Sequence, residues 1–172
     1  MRRPKGQMNL RFFVPTTVLL VAVSLAAAVK PNEPGRLGGY IAVGASPDFL
    51  KDWLRPGSPH VPLVKQFHIG ETAYVGFIVT GVLANNSGQS SVTVDVRIAR
   101  PDGSVLFEKT SYASVVGPTS KGAGFAIADP ALDLEFDSTD PIGTYSIVAM
   151  FHDAVSKKGA LCEVRIELLK KA

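Results

Sequence analysis

The stretch Asp140–Leu168, "DPIGTYSIVAMFHDAVSKKGALCEVRIEL", decides the fold. Pro141 and Gly143 mark a tight turn, since proline presets φ and glycine accepts conformations closed to other residues. Tyr145 then starts a run of β-branched and aromatic residues that lasts to Asp153. "AVSKKG" turns the chain back, and Cys162, Val164, Ile166 and Leu168 alternate with Glu163, Arg165 and Glu167. Period-two alternation of this kind is the mark of a strand with one buried and one wet face. Two such strands about a polar turn predict an antiparallel hairpin.

Upstream the same pattern repeats. In "SVTVDVRIA", Val92, Val94, Val96 and Ile98 oppose Thr93, Asp95 and Arg97. "RPDGS" is a hairpin turn, and "VLFEKTSYA" returns from it. In "ALDLEFD", Leu132, Leu134 and Phe136 oppose Asp133, Glu135 and Asp137. "TAYVGFIVTGVLA" reads as a strand running into the turn "NNSGQS", Tyr40 to Val43 as a first strand, and Val61 to Phe67 as a short edge strand, because Pro62 has no N–H to give. One helix is expected, from Pro47 to Leu54, with Ser46 as its cap and Pro47 in its first position. Strands at short spacing without a βαβ rhythm predict an all-β chain, an antiparallel β-sandwich of about seven to eight strands.

The turn and strand Gly143-Thr144-Tyr145-Ser146-Ile147 resemble the tyrosine corner of immunoglobulin-like sandwiches, with Ile147 where antibody domains carry a cysteine. "PIGTY" is similar to the "PxGxY" of bacterial immunoglobulin-like and macroglobulin-like domains, and "ARPDGSVLFEK" to a hairpin common in them. The resemblance covers Thr72 to Leu169, about half to three-fifths of the chain. It implies a fold, with Pro141, Gly143 and Tyr145 as a structural corner, and implies no activity.

The N-terminus belongs to another category. A basic "MRRPKGQMNLR" precedes the apolar "FFVPTTVLLVAVSLAAAV", and Ala26-Ala27-Ala28 offers the small residues of a cleavage site. Residues 1–28 are therefore expected to be a signal peptide. Residues 29–39, rich in Pro and Gly, follow as a leader, and 40–172 as one sandwich domain. The alternative is an uncleaved anchor facing the periplasm, since Phe12 to Val29 nearly reaches the length of a membrane span. The formal charge of +3 arises in this segment. Arg2, Arg3, Lys5 and Arg11 carry four of the 18 basic charges, and the remaining 14 face 15 acidic residues, a net charge of −1. Nucleic acid is thus not an expected partner. Cys162 is the only cysteine, which excludes an internal disulfide and a thiolate zinc site.

Catalytic chemistry finds few residues. His60, His68 and His152 are the histidines, and His152 and Asp153, adjacent on a strand, point to opposite faces. The acidic stretch Asp129 to Asp140 could reach calcium from its loop ends, but it alternates as a solvated strand face would. No cofactor, metal or enzymatic activity is expected. Phe49 and Trp53, four apart on the helix, and Tyr40 on the first strand are the candidate contact residues. They serve either as a plug over the sandwich or as anchors for a partner. The expected function is a non-enzymatic exported binding or assembly module of the bacterial cell envelope, partnered by another envelope protein. The alternative is a periplasmic carbohydrate- or small-ligand-binding domain in which Tyr40 and Trp53 offer stacking faces.

Overall fold

Alternating segments become strands throughout the computed structural model, which describes residues 36–53, 63–118 and 125–171. These residues lie in the unit Pro31–Ala172. The expected signal peptide and most of the expected leader fall outside them, as do His60 and Leu54. Eight strands are described: β1 Gly38–Gly44, β2 Gln66–His68, β3 Thr72–Thr80, β4 Gln89–Ala99, β5 Val105–Pro118, β6 Phe125–Glu135, β7 Gly143–Asp153 and β8 Lys158–Leu169. Among the described residues there is one helix, α1, Phe49–Trp53.

The strands form one curled sheet in the order β1-β3-β6-β5-β4-β7-β8-β2. Two features correct the expected antiparallel pair of sheets. First, β2 runs parallel to β8, with Gln66 opposite Glu167 and His68 opposite Leu169. The segment before β2 crosses between the two ends of the sheet. Val64 N–H donates to the Val43 carbonyl beside β1, and Glu167 N–H in β8 donates to the Lys65 carbonyl. A chain arriving this way meets β8 running in the same direction. Second, the two halves of the sheet are joined through one residue pair, Ser114 of β5 with Asp129 of β6. The sheet is therefore mixed and continuous.

The burial of β4 follows its alternation, with Val92, Val94, Val96 and Ile98 inside. Ile147, Ala149 and Phe151 of β7 and Ile166 and Leu168 of β8 join them. Val75, Phe77 and Val79 of β3 and Leu132 and Leu134 of β6 complete the same core from the other half of the sheet. Each fully buried side chain of this size contributes about 1.5–3 kcal/mol of transfer free energy, so the fold is held without a disulfide.

The "RPDGS" turn closes as expected. Arg100 N–H donates to the Ser104 carbonyl at 2.8 Å, Gly103 takes φ +83°, and Asp102 accepts from Ser104 N–H at 2.9 Å. Differences lie at element ends. β1 starts at Gly38, ahead of Tyr40, because Leu37 already belongs to the core. β2 begins at Gln66, later than Val61. The helix begins at Phe49, where its first N–H reaches back to the Ser46 carbonyl at 3.2 Å.

Candidate functional site

The two outer faces of the curled sheet differ, and Tyr40 and Phe49 lie on the covered one. On β1, Ile41 and Val43 enter the main core, so Tyr40 and Ala42 point outward. There Ala42, Phe49 and Ile78 form a second buried cluster, flanked by the partly buried Tyr40, Leu50, Tyr74, Phe125 and Ile127. Helix α1 is thus laid on the outside of β1, β3 and β6. Glycine makes the close approach possible: a Cβ on Gly44 would stand 2.5 Å from the Phe49 ring, and one on Gly76 would stand 2.4 Å from Leu50. Phe49 and Tyr40 come together here, with Phe49 only 7% exposed. The backbone of Trp53 ends the helix, and its side chain lies outside the described residues.

The opposite outer face, on β4, β7 and β8, has no such cover among the described residues. Met150 stands directly opposite Leu161 in the β7–β8 ladder. Both are exposed, Leu161 at 67%. Beside them Glu163 and Arg165 form an ion pair. Arg165 Nε donates to Glu163 Oε1 at 2.9 Å, and Ser146 Oγ donates to the same oxygen. The bond from Arg165, then that from Ser146, hold the Glu163 carboxyl below the usual carboxylate range against the opposing pull of burial.

On the same face sits a pair the sequence reading missed. His152 Nε2 lies 2.8 Å from Asp95 Oδ2, and Asp95 Oδ1 accepts from Ser111 N–H at 2.8 Å. The ladder between β4 and β5 shifts register here, so that Val94 faces Ala113 while Val96 faces Lys109. Ser111 sits in this bulge at φ +48°. Burial pushes the Asp95 carboxyl up, but the Ser111 N–H and His152 outweigh it and leave it lowered. The expected separation of His152 from Asp153 stands in the structure: His152 is exposed and Asp153 buried, where it accepts from Val155 N–H and Ser156 Oγ. The geometry of Asp95 and His152 fastens the bulge to its neighbours.

Tyr145 is fully buried, and its hydroxyl donates to the Pro141 carbonyl at 3.0 Å. Its ring meets Phe136 edge-on at 5.2 Å. Gly143 takes φ +134°, and a Cβ there would approach Pro101 of the β4–β5 turn at 3.0 Å. Burial, followed by the Asp140 charge, raises the phenol above its ordinary range. Pro141, Gly143 and Tyr145 therefore spend their polar groups on the backbone, and nothing reactive faces outward.

Cys162 is half-buried against β1. Burial pushes its thiol up, opposed by backbone hydrogen bonds from Ile41 and Glu163. In the acidic stretch, Asp137 accepts from Thr139, and Asp140 accepts from Asp137 N–H at 2.9 Å. Among the described residues no three metal-ligating side chains converge. No helix among them is long and apolar enough to cross a membrane.

No family model matches the chain, and no curated protein does. Solved structures resemble it at low identity. A family 123 glycoside hydrolase from Clostridium perfringens is 10% identical at a TM-score of 0.44, over 78% of this chain and 28% of that one. The CARDB domain of a Pyrococcus furiosus protein, solved with di-metal ions, is 13% identical at a TM-score of 0.39, over 78% of this chain and 88% of that one. The sporulation control protein Spo0M from Bacillus subtilis is 11% identical at a TM-score of 0.44, over 78% and 49%. The chain thus spans about a quarter of the hydrolase and about half of Spo0M.

Proposed function

We propose that this chain is a non-enzymatic binding or assembly module of the bacterial cell envelope, exported by its N-terminal segment and folded as an immunoglobulin-like sandwich. Three features support the fold reading. The single β5–β6 residue pair divides the curled sheet into β1-β3-β6 and β5-β4-β7-β8-β2, and we read these as the two layers of such a sandwich. β2 comes after β1 in the chain but pairs with β8 at the opposite end of the sheet. The Tyr145 hydroxyl bonds back to the backbone at the turn into the strand before the last.

The observation that carries the binding reading is the asymmetry of the outer faces. One is covered by the chain's own helix, and the other leaves Met150 and Leu161 side by side in water. Paired charges around an exposed apolar center cost little to bring against a protein surface, because their hydrogen bonds are already made. The partner is another envelope protein that covers Met150 and Leu161. Affinity capture from envelope extract tests this with wild type and Leu161→Asp side by side. A band present with wild type and absent with the variant supports the module. Identical captures place the contact elsewhere.

A further inference from the structure

A concave feature lies away from the Met150–Leu161 face. Where β1 ends and β2 and β3 begin, a cleft of about 250 Å³ opens to solvent. Sites for drug-sized ligands run to roughly 300–1,000 Å³, so this one is on the scale of a single side chain. Ala45, Val64 and Phe67 give it apolar walls, and Gln66, Glu71, Thr72 and Tyr74 are its polar residues.

Its frame is fixed from several sides. Val64 is tied to β1 through the Val43 carbonyl, and Phe67 is buried in the core. The Glu71 carbonyl accepts from Phe136 N–H at 3.1 Å, and Glu71 Oε2 accepts from His68 N–H at 2.7 Å. His68 Nδ1 stands 3.5 Å from that same oxygen. The other carboxylate oxygen makes no bond to the described residues. Gln66 gives its Nε2 to Glu167 at 3.1 Å, which leaves its carbonyl oxygen available. The Tyr74 hydroxyl is likewise not consumed by another described residue.

The cleft carries one carboxylate, its Thr72 and Tyr74 hydroxyls can each accept a hydrogen bond, and among the described residues no Lys or Arg lines it. The matching ligand has donors only, a positive charge and an apolar stem. A primary ammonium on an alkyl chain has that chemistry, with three N–H donors, no acceptor, and methylenes that pack on apolar walls. We propose that this cleft receives a lysine side chain of a partner protein, with Glu71 as counter-charge, Gln66 and Tyr74 as hydrogen-bond partners, and Val64 and Phe67 along the stem. The site stands apart from the outer face proposed above and does not rest on it.

The test is a titration of the isotope-labelled full-length protein with Nα-acetyl-lysine methylamide, followed by backbone amide shifts. Shifts that saturate at Glu71, Thr72 and Tyr74 are expected, in the weak range ordinary for a single side chain. Acetylation of the ligand's ε-amine removes the charge and keeps the stem, and should weaken binding about tenfold or more, about 1.4 kcal/mol. Glu71→Gln should do the same while its amide oxygen still accepts from His68 N–H, so the turn survives. Leu161→Asp should leave the titration unchanged, which separates this site from the outer face. The proposal is overturned if no amide of the cleft shifts, or if the charged and acetylated ligands bind equally.

Discussion

The outside of β1, β3 and β6 and the outside of β4, β7 and β8 are built on the same alternation, yet they meet solvent differently. Under α1, on β1 and β3, the outward residues are apolar or glycine: Tyr40, Ala42, Gly44, Gly76 and Ile78. Two glycines let a five-residue helix settle onto them, and Phe49 and Leu50 fill the space. On the second, Glu163 is bonded to Arg165 and Ser146, and Asp95 to His152, while Met150 and Leu161 stand exposed and apolar. A strand's inner pattern decides the core, whereas its outer pattern decides whether the protein covers itself. Where it does not, an apolar pair left exposed is the informative feature.

The largest effect should come from removing the cover. Phe49→Ala opens a cavity between α1 and the sheet and should lower stability by about 3 kcal/mol, the lower end for a buried aromatic, because a short helix can partly collapse. Chemical denaturation measures it, and an unchanged midpoint would mean that the helix is not held to the sheet. Next comes the corner. Gly143→Val places a side chain at positive φ against Pro101 and should cost about 2 kcal/mol. Tyr145→Phe loses one hydrogen bond and should cost about 1 kcal/mol. If the two variants melt together with wild type, the corner does not fasten the β6–β7 turn.

On the bare face the same measurement should read almost nothing. Leu161→Asp should shift stability by less than about 0.5 kcal/mol, as exposed substitutions usually do. A large loss there would erase the contrast between the faces. The smallest effect is that of pH. The Asp95 carboxyl is lowered in the fold, so its contribution is present above the unfolded pKa and is lost as pH falls through the folded one. Asp95→Ala should therefore narrow the stability difference between neutral and acid conditions slightly. An acid limb identical to wild type would show that Asp95 does not tie the Ser111 bulge.

The strands were legible because alternation survives as a local signal. Val92 to Ile98 and Cys162 to Leu168 are read correctly without any knowledge of their partners. The parallel pairing of β2 was not legible, since "QFH" carries no direction and its place is set by the carbonyls of Val43 and Lys65. Nor was the Asp95–His152 pair, which joins residues 57 apart in sequence diagonally across the β4–β7 ladder. Phe49 could be read as apolar helix surface, but its burial depended on Gly44 and Gly76, which looked like ordinary small residues in strands. Leu161 and Met150 were read as members of alternating strands. That they lie on the same face, opposite each other, follows only from the hairpin register.

The central claim is that the uncovered face is where the protein meets its partner. Site-specific photocrosslinking in intact cells tests it, with the reactive residue placed at Leu161 in one strain and at Lys51, exposed on the covering helix, in another. The account predicts an adduct with a second envelope protein from position 161 and none from position 51. An adduct from position 51 with none from 161 would contradict it, and would make the helix the contact surface.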